Sequence, residues 1–112
     1  MSNDARAVDE LGSVSDLSKP HTVLHYLYVP GSDAANSIAT ELQRRGYRTE
    51  ERLGADGINW LVLARHEVVP TAALMASLRE SLEKLVLPFD GEYDGWEADV
   101  SASPTSLETL LG

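Results

Sequence analysis

Cysteine is absent from all 112 residues of the chain. This absence excludes disulfide bonds, thiolate nucleophiles and zinc or iron–sulfur centres held by cysteine. The stability of the chain therefore has to come from a packed core, and its 43% of hydrophobic residues is typical of a single globular domain.

Long hydrophobic runs are also missing. No stretch approaches the roughly 18 apolar residues that a membrane-spanning helix needs. The opening sequence MSNDARAVDELGSVSDLSKP contains no apolar segment typical of a signal peptide. We therefore expect neither a membrane span nor a signal peptide.

Basic residues are few. Nine lysines and arginines stand against 18 aspartates and glutamates, which gives a formal net charge of −9. A chain with this charge is repelled by phosphate backbones, so we expect no direct binding of nucleic acid. A partner with a basic surface is favoured instead.

The acidic residues are concentrated near the end of the sequence. Five of the 18 lie within residues 90–100, which contain no lysine or arginine, whereas residues 23–89 are nearly neutral. Such a concentration points to a basic partner. The predicted partner-binding residues are four acids and one aromatic anchor among them, namely Asp90, Glu92, Asp94, Glu97 and Trp96.

The same segment has two other interpretations. The acids alternate in part with Tyr93, Trp96 and Ala98, which is also typical of a half-buried strand with an acidic outer face and a buried tryptophan. A calcium-binding loop would need a bidentate glutamate where this sequence has Ser101. Calcium is therefore disfavoured, and the strand stays open as the alternative to an interface.

Hydrophobic periodicity predicts four strands and two helices. Gly46 fits the position after the first helix, and Ser32 or Asp33 is expected to cap the start of that helix. Gly95 is expected at a bulge in the last strand. The predicted strands cover residues 23–29, 47–53, 58–66 and 91–100, and the predicted helices cover residues 33–45 and 70–86.

This β-α-β-β-α-β order predicts an α+β, ferredoxin-like fold, in which an antiparallel sheet carries both helices on one face. We expect a flexible N-terminal tail over residues 1–21, the folded domain over residues 22–100 and a C-terminal tail over residues 101–112.

Candidate catalytic groups are sparse. Neither a GxxxxGK[ST] nor a GxGxxG motif is present. The spacing of His21 and His25 suits a metal only on a helix, and both border a predicted strand. His66 stands beside Glu67, but no anchored nucleophile accompanies the pair. We therefore expect no enzyme, no metal and no other cofactor.

Three segments carry a family likeness: HYLYVPGSDAANSIATELQRRGY, DGINWLVLARHEVVP and GEYDGWEADV. They resemble the family of the regulator of ribonuclease E activity B (RraB), and the last segment is the most specific. The resemblance runs over about two-thirds of the chain. It implies a cytoplasmic bacterial protein with a ferredoxin-like fold and no catalysis, which binds and inhibits ribonuclease E as a protein and does not bind the RNA.

The function we expect is that of a non-catalytic regulator that binds ribonuclease E or a related protein through an acidic surface and so modulates RNA turnover. The alternative is a small-molecule sensor or another protein-interaction module of the same fold. The sequence leaves the oligomeric state open.

Overall fold

The computed structural model describes Val8 and residues 19–98. Within residues 19–98, a four-stranded antiparallel sheet packs against two helices, which confirms the predicted α+β ferredoxin-like fold. No helix in this described part is long and apolar enough to span a membrane. The elements in chain order are β1 (His21–Val29), α1 (Ser32–Arg44), β2 (Arg48–Leu53), β3 (Trp60–Val68), α2 (Ala72–Val86), a 3₁₀ turn (Leu87–Phe89) and β4 (Glu92–Ala98).

The two predicted tails lie outside the described residues, apart from Val8 and residues 19–21, and so does the predicted end of the last strand at residues 99–100. β1 begins at His21, two residues before the predicted start, because the pairing with β3 continues to Val68. Val8 is buried in a cluster with Val23 and Met75.

The strand order is β2-β3-β1-β4, so the two most apolar strands are central and the two charged strands are edges. β1 alternates strictly between buried and half-buried residues. The sheet thus has a covered face, which packs against the helices. The opposite face, called the open face below, nevertheless includes the buried residues Leu61 and Leu63. α1 lies over β2 and β3, whereas α2 lies against β4 and β1.

The core lies between the covered face and the helices. From α1 it receives Ala35, Ile38, Ala39 and Leu42, all at the predicted helical spacing. In α2 the leucines Leu74, Leu78, Leu82 and Leu85 recur at helical spacing, but Leu82 alone among them is fully buried. The other buried positions of α2 are Met75 and Val86, while Leu74, Leu78 and Leu85 are half-buried beside them.

The end of α1 confirms one prediction and its start corrects another. The amide of Gly46 donates to the carbonyl of Gln43, and that of Tyr47 donates to the carbonyl of Leu42, which closes the helix in a Schellman motif. The predicted side-chain cap is wrong. Gly31 occupies the N-cap position without a side-chain hydrogen bond, because Ser32 is already helical.

The predicted bulge in β4 is confirmed. Between two regular pairs of the β1–β4 ladder, Asp94 and Gly95 together stand opposite the single residue Tyr26. Gly95 has a φ of 101°, in the left-handed region that favours glycine.

The bulge changes which side chains of β4 share a face. Tyr93 pairs with Leu27 and Trp96 pairs with His25, so both aromatic residues lie on the covered face. In a regular strand two residues three positions apart point to opposite faces. The extra residue at the bulge shifts this alternation by one.

Candidate functional site

The predicted partner-binding acids lie on β4 or in the turn before it. Glu92 pairs with Tyr28 and Glu97 pairs with Leu24, so both acids lie on the open face. Asp94 is exposed between them along the strand. The structure therefore brings three of the four predicted acids together at the free edge of the sheet.

Asp90 and Trp96 lie elsewhere around the same strand. Asp90 is exposed in the turn before β4 and has a φ of 57°. Trp96 is half-buried on the covered face, where it packs against Val8, Val23 and Met75. Because β4 is an edge strand, Trp96 and the three open-face acids still border the same free edge.

A cleft of about 300 Å³ lies at one end of the open face, where β4 approaches the β2–β3 hairpin. Three of the side chains that line it are carboxylates, and none of the lining residues is basic. Such a concavity concentrates negative potential and suits a lysine or arginine side chain. Its lining residues are Tyr28, Ala55, Asp56, Asn59, Glu92 and Asp94.

Asp56 orders the hairpin loop beside this cleft. One of its carboxylate oxygens accepts hydrogen bonds from the backbone amides of Ile58 and Asn59, each at 2.9 Å. The other accepts from the side-chain amide of Asn59 at 2.8 Å. The backbone bonds from Ile58 and Asn59 lower the pKa of Asp56, so its charge is retained at neutral pH.

Glu97 is positioned by Tyr26. The hydroxyl of Tyr26 donates a hydrogen bond of 2.5 Å to the Glu97 carboxylate on the open face. This bond to a carboxylate raises the pKa of Tyr26 above its ordinary value. Glu97 is thus held on the open face by its neighbour on β1.

A second polar cluster lies on the covered face, and the sequence did not predict it as a unit. His25 is fully buried. Its Nδ1 atom lies 2.7 Å from the hydroxyl of Tyr93, and its Nε2 atom lies 2.9 Å from Nε2 of His66. The ring of Tyr47 packs on His66 with 4.5 Å between centroids, and the Arg79 guanidinium lies 5.1 Å from the centroid of the Tyr93 ring.

The environment of His66 and Tyr47 in this cluster favours their uncharged forms. Burial lowers the pKa of His66 and raises the pKa of Tyr47. The contact between His25 and His66 was not evident from the sequence, because it depends on the register of β1 and β3. That register sets Ala64 opposite His25 and His66 opposite Val23. Among the described residues, no three His, Asp or Glu side chains are arranged to hold a metal ion.

Comparison with known protein families places the chain in a regulatory family. The family model described as "Regulator of ribonuclease activity B" (RraB) matches residues 3–98, a range that includes the four strands and two helices found within residues 19–98. No curated protein matches the chain at a significant level.

Proposed function

The chain belongs to the RraB family, whose members regulate ribonuclease activity, and on that basis we propose that it binds and inhibits ribonuclease E or a related ribonuclease through the acidic edge at β4. We propose that it acts in the cytoplasm, where RNA turnover takes place. Its family is regulatory and non-catalytic, so the ribonuclease is a protein partner of the chain and not a substrate.

The observation that carries this proposal is the grouping of Glu92, Asp94 and Glu97 on the open face beside an acidic cleft. A ribonuclease needs basic segments to hold RNA, because phosphate contacts dominate the affinity of proteins for nucleic acids. An acidic surface on a second protein attracts the same segments and competes with RNA for them.

The five predicted residues have different parts in this contact. The open-face acids attract a basic segment, and the cleft accepts one of its lysine or arginine side chains. Asp90 adds charge at the entry to β4. Trp96 supplies apolar area at the free edge, since aromatic residues with a charged rim are typical interface anchors.

The test is titration of the full chain against purified ribonuclease E at low and moderate ionic strength. We expect binding that weakens with salt. The double substitution Glu92→Lys with Asp94→Lys should weaken it about tenfold or more, which corresponds to about 1.4 kcal/mol. Asp90→Asn should weaken it less, because it removes one charge and suits the left-handed backbone at that position.

The matched control carries the same change of charge on the exposed face of α2, by Glu80→Lys with Glu83→Lys. Binding of this control should stay close to that of the unchanged chain. Failure of the unchanged chain to bind at low ionic strength would exclude ribonuclease E as the target. Equal weakening by the β4 and α2 variants would exclude the β4 site.

A further inference from the structure

Two arginines stand opposite each other on the open face. Arg48 at the start of β2 pairs with Arg65 of β3, and both residues are exposed. Leu24 of β1 lies on the other side of Arg65 in the same cross-strand row. Like charges at directly opposed positions destabilise an antiparallel sheet. An anion between the two guanidinium groups would turn this repulsion into attraction.

Neither arginine has an anionic partner in the described part of the chain, where the ion pairs use other basic residues. Glu50 lies 3.3 Å from the guanidinium of Arg52 instead. Glu97 accepts a hydrogen bond from a tyrosine of β1. Glu67, two positions from Arg65 on β3, forms no ion pair with a described residue. The two guanidinium groups are therefore available to an external anion.

The arginine pair borders a cleft of about 220 Å³. The lining of this cleft also includes Leu24, which is half-buried, and Leu63, which is buried. Pockets that hold whole small molecules usually have about 300–1,000 Å³. A cleft of the observed size suits one side chain, and its lining suits a side chain that has an apolar stem and an anionic end.

A carboxylate fits this cleft better than the phosphates of a nucleic acid do. Guanidinium groups bind either anion through paired N–H donors. Glu50 also lines the cleft, however, and the chain has a formal net charge of −9. Both features repel a polyanion more strongly than they repel a single carboxylate. The methylene groups of a glutamate can in addition pack against Leu24.

We propose that the cleft bordered by Arg48 and Arg65 binds the carboxylate of a glutamate side chain on a protein partner. The two guanidinium groups donate to the carboxylate oxygens, and the stem of the glutamate packs against Leu24. This site does not rest on the proposed function, because its chemistry is set by the cleft and not by the identity of the partner.

The arginine cleft and the acidic cleft beside β4 lie at opposite ends of the open face. Leu24 lines the first and Tyr28 lines the second. These two residues of β1 are four positions apart, which is about 13 Å along a strand. A partner segment that carries a basic side chain for one cleft and a glutamate for the other is held in one direction only. The arginine cleft therefore adds orientation to a contact that the acidic cleft alone would leave reversible.

The test is an NMR titration of the isotopically labelled full chain with the peptide acetyl-Leu-Glu-Leu-amide. We expect saturable shifts of the Nε–H resonances of Arg48 and Arg65, with a dissociation constant on the order of 1–10 mM. Arg44 is exposed on α1 and should not shift in this way. The matched peptide acetyl-Leu-Gln-Leu-amide lacks the charge and should cause no saturable shift.

The double substitution Arg48→Gln with Arg65→Gln should raise the dissociation constant of the glutamate peptide about tenfold or more, because both charge-assisted contacts are lost. The backbone amide of Leu63 reports binding in this variant. The control is Arg44→Gln with Lys84→Gln, which removes the same charge from exposed positions on the two helices. Its dissociation constant should stay close to that of the unchanged chain.

Equal shifts with the two peptides, including no shifts with either, would overturn the proposal, and so would equal weakening in the two double variants. A short uridine oligonucleotide that binds at these arginines where the glutamate peptide does not would assign the cleft to nucleic acid. A peptide that binds only after Glu108→Gln would assign it to a carboxylate of the chain itself. None of these outcomes depends on ribonuclease E, so its failure to bind would exclude the proposed partner and not this site.

Discussion

The Nε2 atom of His25 lies 2.9 Å from the Nε2 atom of His66, across the neighbouring strands β1 and β3. A hydrogen bond between two ring nitrogens needs one donor and one acceptor, so at least one of the two rings is neutral. On its other side His25 bonds to the hydroxyl of Tyr93. The arrangement therefore holds only while the pair carries no more than one positive charge.

We expect the free energy of unfolding to fall as the pH drops below about 6.5. Burial lowers the pKa of His66 in the folded chain, so the unfolded chain takes up a proton at a higher pH than the folded one. The stabilisation is fully present above the pKa that His66 has in the unfolded chain. It is lost as the pH falls from there towards the lower pKa that His66 has in the folded chain. Urea unfolding between about pH 8 and pH 5 measures it.

The control for this pH dependence is His66→Gln. Glutamine still offers a donor and an acceptor to His25 but does not titrate. The slope of stability against pH should flatten in this variant. A slope that persists unchanged would show that another group causes it.

Tyr93→Phe should destabilise the fold by about 1–3 kcal/mol, because it leaves the buried Nδ1 atom of His25 without its hydroxyl partner. Tyr26→Phe is the matched control, since it removes a hydroxyl that bonds to the exposed Glu97. The control should change stability by no more than about 0.5 kcal/mol. Chemical unfolding of both variants at neutral pH compares them, and equal losses would contradict the argument from burial.

Gly95→Ala should cost about 1–3 kcal/mol, because alanine rarely adopts the φ of 101° found at the bulge. It should also disturb the side chain of Trp96, which depends on the bulge to reach the covered face. Thermal unfolding with tryptophan fluorescence reports both effects. Gly31→Ser is the control, since Gly31 has an extended φ and open space around it. A loss as large as that of Gly95→Ala in this control would refute the explanation.

Leu82→Ala should destabilise the fold by about 2–5 kcal/mol, because Leu82 is fully buried in the core between α2 and the sheet. Leu87→Ala removes the same atoms from a residue that is 71% exposed, so its effect should stay within about 0.5 kcal/mol. Urea unfolding of the two variants is the measurement. Similar losses would mean that burial does not set the contribution of these leucines.

Much of the fold was predictable because it depends on local periodicity. The spacing of Ala35, Ile38 and Leu42 indicates a helix, and the β-branched and aromatic run of β1 indicates a strand. Glycine also acts locally, so Gly46 and Gly95 marked the helix end and the bulge before any contact was known. The N-cap of α1 was missed because a shift of one residue at a helix start leaves the hydrophobic pattern unchanged.

The sequence by itself determined the element order, the family and the concentration of acids near the end of the domain. Only the tertiary structure decided that Glu92 and Glu97 share a face with Arg48 and Arg52, and that His25 meets His66. The reason is that the face of a strand residue and its cross-strand neighbour depend on register, which a one-residue slip or bulge reverses. Periodicity along the chain does not specify that register.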